Sequence, residues 1–483
     1  MSRRLAWIAV LGLTALAAWL VPPRAAQQGR AAATRAEGLL DVLIRGVPHV
    51  HQKPDFCGEA CLAMYLKRLG KSVDQDWVFD QTGVDPRLGR GAYAAELVRA
   101  ARRIGFNTGD VWYKVPAARA SAGLDEQFRA LHADLNRGIP SIVCTRYDDR
   151  PASSEHFRLV LGYDARRDEV VYHEPAAAAG AYQRMKRAEF LKLWPLQYER
   201  DTLLLIRIRL EQGSIAAPRA RNDYSPAAYA QHVMELRKKQ PPGFSVVVTP
   251  PFVVLGDESE AVVKRRAEQT VRWAVAKLKA EYFRRDPHEI IDVWLFKDRE
   301  SYERNSWKLF RDRPGTPYGY YSAEHRALVM NIATGGGTLV HEIVHPFVRA
   351  NFPAAPAWLN EGLGSLYEQC MDKDGRIWGL PNWRLHGLQA AIRAGQLPTF
   401  EKLTATTERQ FYREDSGTNY AQARYLLLYL QERGLLRRFY EEFAAGQRSD
   451  PTGYRTLTRL LGQADMARFQ REWAAWVLGL KFP

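Results

Sequence analysis

The sequence predicts an α+β protein with two successive domains, the first of mixed strands and helices and the second a sheet followed mainly by helices. Its 483 residues are too many for one hydrophobic core, since domains hold roughly 100–200 residues. Short runs in both halves alternate apolar and polar residues, which indicates strands, whereas helical spacing dominates beyond residue 338. A composition of 46% hydrophobic and 25% charged residues is typical of globular proteins.

The first residues predict export from the cytoplasm. Two arginines precede an apolar run from Leu5 to Val21, which two prolines end. A charged start followed by such a run is typical of a signal peptide, and also of a short membrane anchor. We predict that residues 1–26 are a signal peptide or N-terminal anchor and that residues 27–40 are a linker. The protein is then periplasmic, extracellular, or anchored in the membrane and facing outside.

Sequence motifs and cysteine content argue against a nucleic-acid-binding protein and against a disulfide-rich protein. The net charge of +15 favours anionic partners, but no basic run is interleaved with aromatic residues, so we predict no nucleic-acid partner. Four cysteines are too few for the disulfide framework of a small exported protein. Cys57 and Cys61 lie one helical turn apart, an awkward geometry for a bridge, so the cysteines are predicted to be free thiols.

Residues 41–210 have the pattern of a mixed α+β domain. The predicted elements are helices at Glu59–Leu69 and Ala92–Ile104 and strands at His156–Tyr163, Glu169–His173 and Leu203–Ile208.

Four residues of this domain predict a thiol site. Cys57 precedes a predicted helix, whose dipole favours the thiolate form of a cysteine at its N-terminus. Gln52 can place an amide donor beside the Cys57 backbone N–H to form an oxyanion hole. His156, at the start of one strand, can act as the base, and Glu174, at the end of the next, can orient it. Asp164 is an alternative orienting acid.

This part of the chain resembles the C39-like cysteine peptidases, which are papain-like. The resemblance lies in the order of four features: a glutamine, a Cys-Gly pair, a histidine, and an acidic residue followed by proline. The specific runs are QKPDFCGEACLAMYL and HFRLVLGYD…VVYHEP. The resemblance implies a papain-like fold with Cys57 as nucleophile, His156 as base, Glu174 as orienting acid and Gln52 as oxyanion donor. The family has Asp-Pro where this chain has Glu-Pro. Two alternatives stay open: one or both predicted domains are inert and bind peptides or cell-envelope polymer, or Cys57 transfers its acyl group to an amine.

Residues 211–240 are polar and predict a linker with one helix near residues 227–239, and residues 241–483 form the second predicted domain. Its predicted elements are strands at Phe244–Val248, Phe252–Leu255, Glu289–Phe296 and Ala327–Asn331, a long helix at Glu258–Arg284, and helices from Thr338 onward.

The helix after the Gly335–Gly337 loop predicts a zinc site. Thr338 is a suitable N-cap, and His341 and His345 then lie on one helical face, where both can bind one metal ion. Glu342, beside them, can act as a general base on a metal-bound water. A third ligand can come from Glu361, leaving the fourth position open for water and substrate.

The runs HEIVH and WLNEGLGSLYE resemble the gluzincin metallopeptidases. The resemblance implies a zincin-like domain in which the two histidines and Glu361 bind Zn²⁺ and Glu342 is the general base. It also implies that Tyr420 stabilises the oxyanion and that Ala327–Asn331 pairs with extended substrate. Pro346 predicts a kink in the metal-binding helix. Together the two halves predict an exported peptidase that hydrolyses peptides or proteins at a thiol site and at a separate zinc site.

Overall fold

The computed structural model describes residues 38–215, 224–413 and 417–482. The predicted signal peptide or anchor lies outside these residues, as does nearly all of the predicted linker at residues 27–40. Within the described ranges, no helix is both long enough and apolar enough to cross a membrane.

The N-terminal half is an antiparallel sheet with helices on its faces. Its strands are β1 (Val42–Leu43), β2 (Phe106–Asn107), β3 (Trp112–Pro116), β4 (Ser141–Arg146), β5 (Glu155–Asp164), β6 (Glu169–His173), β7 (Gln183–Lys186), β8 (Leu196–Glu199), β9 (Thr202–Arg209) and β10 (Glu211–Gln212). Its helices are α1 (Cys57–Arg68), α2 (Gln75–Thr82), α3 (Ala94–Ile104), α4 (Ala120–Asn136) and α5 (Arg187–Leu193). The strand order of the main sheet is β3-β9-β4-β5-β6-β7, with β1 paired to β5 and β8 to β9, while β2 and β10 form a separate pair.

The central strand β5 positions the predicted thiol site. Its alternate residues Phe157, Leu159 and Leu161 share a hydrophobic core with α1, while Val160 belongs to the core on the other face. The antiparallel pairing of β5 with β6 places His173 opposite Leu159, so the end of β6 lies close to the start of β5. The predicted helices and strands of this half are present, and the structure adds strands such as β3 and β4 that the sequence pattern did not reveal.

Helix α6 (Pro226–Lys239) lies in the segment predicted as a linker, and it packs on both halves. Ala227 and Ala230 belong to the N-terminal core that contains α1. Tyr229, Val233 and Leu236 belong to a core formed with the C-terminal sheet. The helix is therefore part of the packing between the two halves.

The C-terminal half contains a five-stranded mixed sheet, a small hairpin and many helices. Its strands are β11 (Ser245–Thr249), β12 (Phe252–Gly256), β13 (Ile291–Phe296), β14 (Gly319–Ser322), β15 (Ala327–Asn331), β16 (Cys370–Lys373) and β17 (Arg376–Gly379). Its helices are α7 (Glu260–Arg266), α8 (Trp273–Glu281), α9 (Arg299–Asn305), α10 (Gly337–Asn351), α11 (Ala357–Leu366), α12 (Arg384–Arg393), α13 (Phe400–Thr404), α14 (Glu408–Arg413), α15 (Thr418–Glu432), α16 (Leu436–Gly446), α17 (Tyr454–Leu461) and α18 (Met466–Gly479).

The order of the C-terminal sheet corrects one expectation. The strands run β11-β12-β13-β15-β14, so β15 pairs on one side with β13 and on the other with β14. A strand paired on both sides has no free backbone groups for a peptide, so the expected pairing of Ala327–Asn331 with substrate is wrong. The edge strand on this side is β14, whose Gly319, Tyr320 and Tyr321 line the large cleft described below.

Helix α10 begins two residues earlier than a cap at Thr338 predicts. Gly336 is its N-cap and Thr338 lies in its first turn, so the prediction of Thr338 as the cap is wrong. Gly337 packs against the backbone of Glu368, where an added Cβ would lie 2.1 Å from the carbonyl oxygen. The helix continues through Pro346 to Asn351, and the rings of His341 and His345 remain 4.8 Å apart. Pro346 therefore does not separate the two histidines.

Candidate active sites

The two histidines of α10 and one glutamate of α11 form a compact group of metal-ligand atoms. The ligand atoms of His341, His345 and Glu361 all lie within 4.8 Å of one another. Nε2 of His341 is 3.1 Å from Oε2 of Glu361, and Nε2 of His345 is 3.8 Å from Oε1. Two imidazole nitrogens and a carboxylate at this spacing can hold one metal ion.

Outer hydrogen bonds orient both imidazoles. Nδ1 of His341 is 3.0 Å from Oε1 of Glu368, and Nδ1 of His345 is 3.0 Å from Oδ1 of Asn360. Because Nδ1 of each ring bonds to these partners, Nε2 of each ring is left to face Glu361. Glu368 is itself held by Arg384, through contacts of 2.8 and 3.1 Å. Such carboxylate and amide partners fix the orientation of metal-binding histidines.

The buried carboxylates of this group are held in the ionised form. Burial by itself raises the pKa of Glu361, but the hydrogen bond and charge of His341 bring it down to about 2. Burial likewise opposes ionisation of Glu368, and His341 and Arg384 lower its pKa to about 2. For His341, burial opposes protonation, but its bonds to the two carboxylates raise its pKa.

The ligand group opens into a cleft of about 600 Å³. Glu342 and Tyr420, the predicted base and oxyanion donor, both line this cleft. Tyr412 lines it as well and donates its hydroxyl proton to Oε1 of Glu361 at 2.7 Å. Burial and the neighbouring Glu361 carboxylate raise the pKa of both tyrosines, so each phenol remains a hydrogen-bond donor.

The predicted nucleophile Cys57 is the first residue of α1 and is half-buried. It lines a separate cavity of about 410 Å³ together with Cys144, Glu155 and Phe157. Burial raises the pKa of the Cys57 thiol to about 12, although a backbone hydrogen bond at Phe157 opposes the rise. Burial thus outweighs the expected stabilisation of the thiolate by the helix dipole.

The predicted base and its orienting acid are in direct contact. Nε2 of His156 lies 2.5 Å from Oε1 of Glu174, and Nε of Arg158 donates to the other carboxylate oxygen at 2.8 Å. Burial raises the pKa of Glu174, but His156 and Arg158 outweigh it, so the net shift is downward. Asp164, the alternative acid, instead accepts backbone N–H groups in the β5–β6 turn and pairs with Arg184.

Residues 44–201 match the sequence model of the Peptidase_C39 like family. The N-terminal part of this chain is a C39-like peptidase domain. Among solved structures, the chain is similar to the peptidase domain of Streptococcus ComA, described as a bi-functional ABC transporter involved in a quorum sensing pathway. The identity is 17%, the likeness covers 35% of this chain and 100% of that chain, and the TM-score is 0.23. No curated protein matches the chain.

In the C39-like domain, His156 is hydrogen-bonded to Glu174 but not to Cys57. Among the described residues, no hydrogen bond links the thiol to the imidazole. Successive strand residues point to opposite faces. Phe157 lines the Cys57 cavity, whereas the His156 ring packs on Tyr147, with centroids 5.1 Å apart. The thiol and its expected base therefore lie in different surroundings.

Gln52, the predicted oxyanion donor of the C39-like domain, lies beside the segment that carries the orienting acid. Its backbone N–H donates to the carbonyl of Pro175 at 2.9 Å. Its side-chain Oε1 is buried and has no hydrogen-bond partner among the described residues. The backbone of Gln52 therefore lies beside the segment that carries Glu174, and the unpartnered side-chain atom is an acceptor, whereas an oxyanion hole requires a donor.

Sequence reasoning missed the outer partners of the metal-ligand group. Asn360 directly precedes Glu361, and Glu368 ends the run WLNEGLGSLYE. Both residues therefore belong to the run that predicted Glu361 as a ligand, and this proximity could have pointed to them. Tyr412 lies 51 residues from Glu361 on a different helix and has no such signal. Tyr425, on the same helix as Tyr420, is buried and hydrogen-bonds the backbone of Asn382, which is a packing role.

Proposed function

We propose that this chain is an exported peptidase whose second half hydrolyses peptide bonds at a zinc centre. The observation that carries the proposal is the convergence of His341, His345 and Glu361 within 4.8 Å at the wall of a cleft. Two imidazoles and one carboxylate are the ligands of a catalytic zinc that keeps one position open. When bound, zinc would polarise the substrate carbonyl and lower the pKa of a water molecule. This arrangement is the one implied by the gluzincin resemblance.

The side chains of the cleft can perform the proton transfers of hydrolysis. Glu342 is half-buried, lines the cleft and is not one of the three clustered ligands. Its carboxylate can accept a proton from the attacking water and return it to the leaving nitrogen. Tyr420, held as a neutral phenol, can donate a hydrogen bond to the oxygen of the scissile carbonyl as negative charge develops there.

The C39-like domain supports peptidase activity as well, and we propose Cys57 as its nucleophile. In that reaction the Cys57 sulfur bonds to the substrate carbonyl carbon, and the thiol proton passes to His156 and then to the amine that leaves as the C–N bond breaks. Water then hydrolyses the thioester, which releases the acid and restores the thiol. Since Nε2 of His156 is bonded to Glu174, Nδ1 is the nitrogen able to accept this proton. The imidazole must then move towards Cys57 when substrate binds.

A second candidate function for this domain is peptide binding without cleavage. It is favoured by the raised pKa of Cys57 and by the lack of a hydrogen bond from His156 to its thiol in the described part of the chain. A neutral thiol is a weak nucleophile. The two candidates differ in whether the reactivity of Cys57 depends on His156.

We expect iodoacetamide to alkylate Cys57 faster than the other three cysteines. We also expect His156→Ala to slow the alkylation of Cys57 roughly tenfold, because this substitution removes the base that activates the thiol. Peptide mapping by mass spectrometry gives the rate at each cysteine. Exposure alone can make Cys57 react fastest, so the His156 variant is the decisive comparison. His386→Ala, on α12, serves as the matched histidine control. Equal Cys57 rates with and without His156 would assign the domain to peptide binding.

A second prediction tests the fit of the metal site through Gly364. A Cβ added there would lie 3.0 Å from Cδ2 and Nε2 of His341. This ring is held between two glutamates, so the shift needed to make room for the Cβ disturbs its orientation. We expect Gly364→Ala to lower zinc affinity by roughly 10–100-fold, the range found when the orientation of a ligand is disturbed. Competition with a chromophoric chelator measures the affinity.

Gly387→Ala is the matched control for this substitution. Gly387 also lies inside a helix, α12, and an added Cβ there would have no neighbour within 4 Å. Replacing an exposed helical glycine by alanine stabilises a protein by roughly 0.5–1 kcal/mol. Zinc affinity should therefore be unchanged in Gly387→Ala while its melting temperature rises slightly. Unchanged zinc affinity in Gly364→Ala would contradict a role for His341 as a ligand.

A further inference from the structure

We propose that the metal cleft selects substrates carrying a carboxylate one or two residues from the scissile bond, and that Arg349 binds this carboxylate. The inference rests on the proposed peptidase function of the second half and assigns it a substrate class. Arg349 lines the same cleft as the ligand group, and its side chain is exposed. It is not a metal ligand and has no place in the proton transfers described above.

The position of Arg349 on α10 places it beside the reacting groups. It follows His345 by four residues and Glu342 by seven, so the three side chains form a stripe along one face of the helix. At about 1.5 Å of rise per residue, Arg349 lies roughly 6 Å along the helix axis from His345. An extended peptide advances about 3.3 Å per residue, so the arginine is one or two residues away from a carbonyl at the metal site.

The charge of Arg349 is available to a ligand. Within the described residues, no carboxylate forms an ion pair with its guanidinium. The other guanidinium of the cleft belongs to Arg384, which is committed to Glu368 through two hydrogen bonds. The end of the cleft at the proposed metal site is acidic because it is lined by Glu342, Glu361 and Glu368. Arg349 places a positive charge elsewhere in the lining of the same cleft.

The edge strand β14 orients this guanidinium. The central carbon of the Arg349 guanidinium lies 5.6 Å from the centroid of the Tyr321 ring, within the range of a cation–π contact. Tyr321 belongs to β14, which lines the cleft, so the arginine is held between the helix and the sheet edge. The contact with the ring occupies one face of the guanidinium and leaves its N–H groups free to donate to a carboxylate. The planar guanidinium can bind a carboxylate through two parallel hydrogen bonds.

Either an acidic side chain or a free C-terminus can supply this carboxylate. The chemistry is the same, and a set of four fluorescent peptides distinguishes the sources. Both peptides of the first pair have an amidated C-terminus; one has aspartate next to the scissile bond and the other has asparagine. Both peptides of the second pair have asparagine at that position; one ends in a free carboxylate and the other in an amide.

Binding is measured by fluorescence anisotropy on zinc-loaded full-length protein with the Glu342→Gln substitution, so that no turnover is required. We expect at least one carboxylate peptide to bind tenfold or more tightly than its neutral partner, and Arg349→Gln to remove that preference without weakening the neutral peptides. Arg471→Gln, an exposed arginine of α18, removes the same charge away from the cleft and should change nothing.

A preference for aspartate assigns the carboxylate to a side chain, and a preference for the free terminus makes the protein a carboxypeptidase; both support the inference. Equal affinity for charged and neutral peptides overturns it, as does an equal loss in Arg471→Gln. Zinc content and cleavage of the neutral peptide by the unsubstituted protein report the proposed function separately. Failure of carboxylate selection can therefore be told apart from failure of the metal site.

Discussion

Glu342→Gln is expected to leave the zinc content of the protein unchanged and to lower kcat for peptide cleavage in the second half by roughly 10²–10⁴-fold, the usual contribution of a general base. Glutamine has the same shape as glutamate but cannot accept the proton of the attacking water. Glu342 lines the cleft and is not among the three clustered ligands, so the metal should stay bound. Inductively coupled plasma mass spectrometry gives the metal content, and Cys57→Ala in the same chain restricts the assay to this site.

The matched comparison is His345→Ala, which should lose both the metal and the activity. The imidazole of His345 contributes one of the three clustered nitrogen and oxygen ligands, and two remaining ligands hold zinc weakly. Glu300→Gln, an exposed carboxylate on α9, should have neither effect. Full zinc occupancy in a His341→Ala/His345→Ala double variant would remove the metal assignment. Full activity in Glu342→Gln would show that another group accepts the proton.

The convergence of His341, His345 and Glu361 was predictable because its geometry is local. Histidines four residues apart on a helix share a face whatever the rest of the chain does, and the structure keeps His341 and His345 together even across Pro346. Glu361 follows on the next helix, so little chain separates it from them. Tyr412 was not predictable, since α14 reaches Glu361 only through the packing of several helices.

The order of strands in the C-terminal sheet was not predictable for the same reason. The short, mainly apolar run Ala327–Asn331 was correctly predicted to be a strand with these bounds. Such a run indicates a buried strand, but the neighbours of a strand depend on tertiary packing. The chain places β14 outside β15, which moves the sheet edge from Ala327–Asn331 to Gly319–Ser322.

The thiol site shows two effects of different size acting on one residue. A helix N-terminus stabilises a negative charge by roughly 0.3–1 kcal/mol. Desolvation shifts the pKa of a buried group by up to about 3–5 units, which is several kcal/mol. At Cys57 burial is the larger effect, and the carboxylates of Glu59 and Asp55 add to it, so the pKa rises. The sequence revealed the helix but not the depth of burial.

Separating the two halves at residue 240 is expected to destabilise the C-terminal piece, whereas a cut before α6 should not. Residues 211–240 were predicted to be a linker, but α6 inserts Tyr229, Val233 and Leu236 into the core of the C-terminal sheet, where each is at most 2% exposed. Burial of such side chains contributes roughly 1.5–3 kcal/mol each, so their loss removes a large part of the stability of an ordinary domain. The contribution of α6 to the N-terminal core is smaller, since it consists mainly of Ala227 and Ala230.

The experiment compares two C-terminal pieces that differ only in this helix, residues 224–483 and residues 241–483. We expect the longer piece to be soluble, to bind zinc and to unfold cooperatively, and the shorter one to aggregate or to melt at least 10 °C lower. Leu236→Ala in the full chain, with an expected loss of roughly 2–5 kcal/mol, checks that the effect comes from burial of α6 rather than from the new terminus. Equal solubility and melting temperature of the two pieces would show that the sheet is complete without α6. The predicted linker would then separate two independent domains, because Tyr229, Val233 and Leu236 are the α6 side chains buried in the core of the C-terminal sheet.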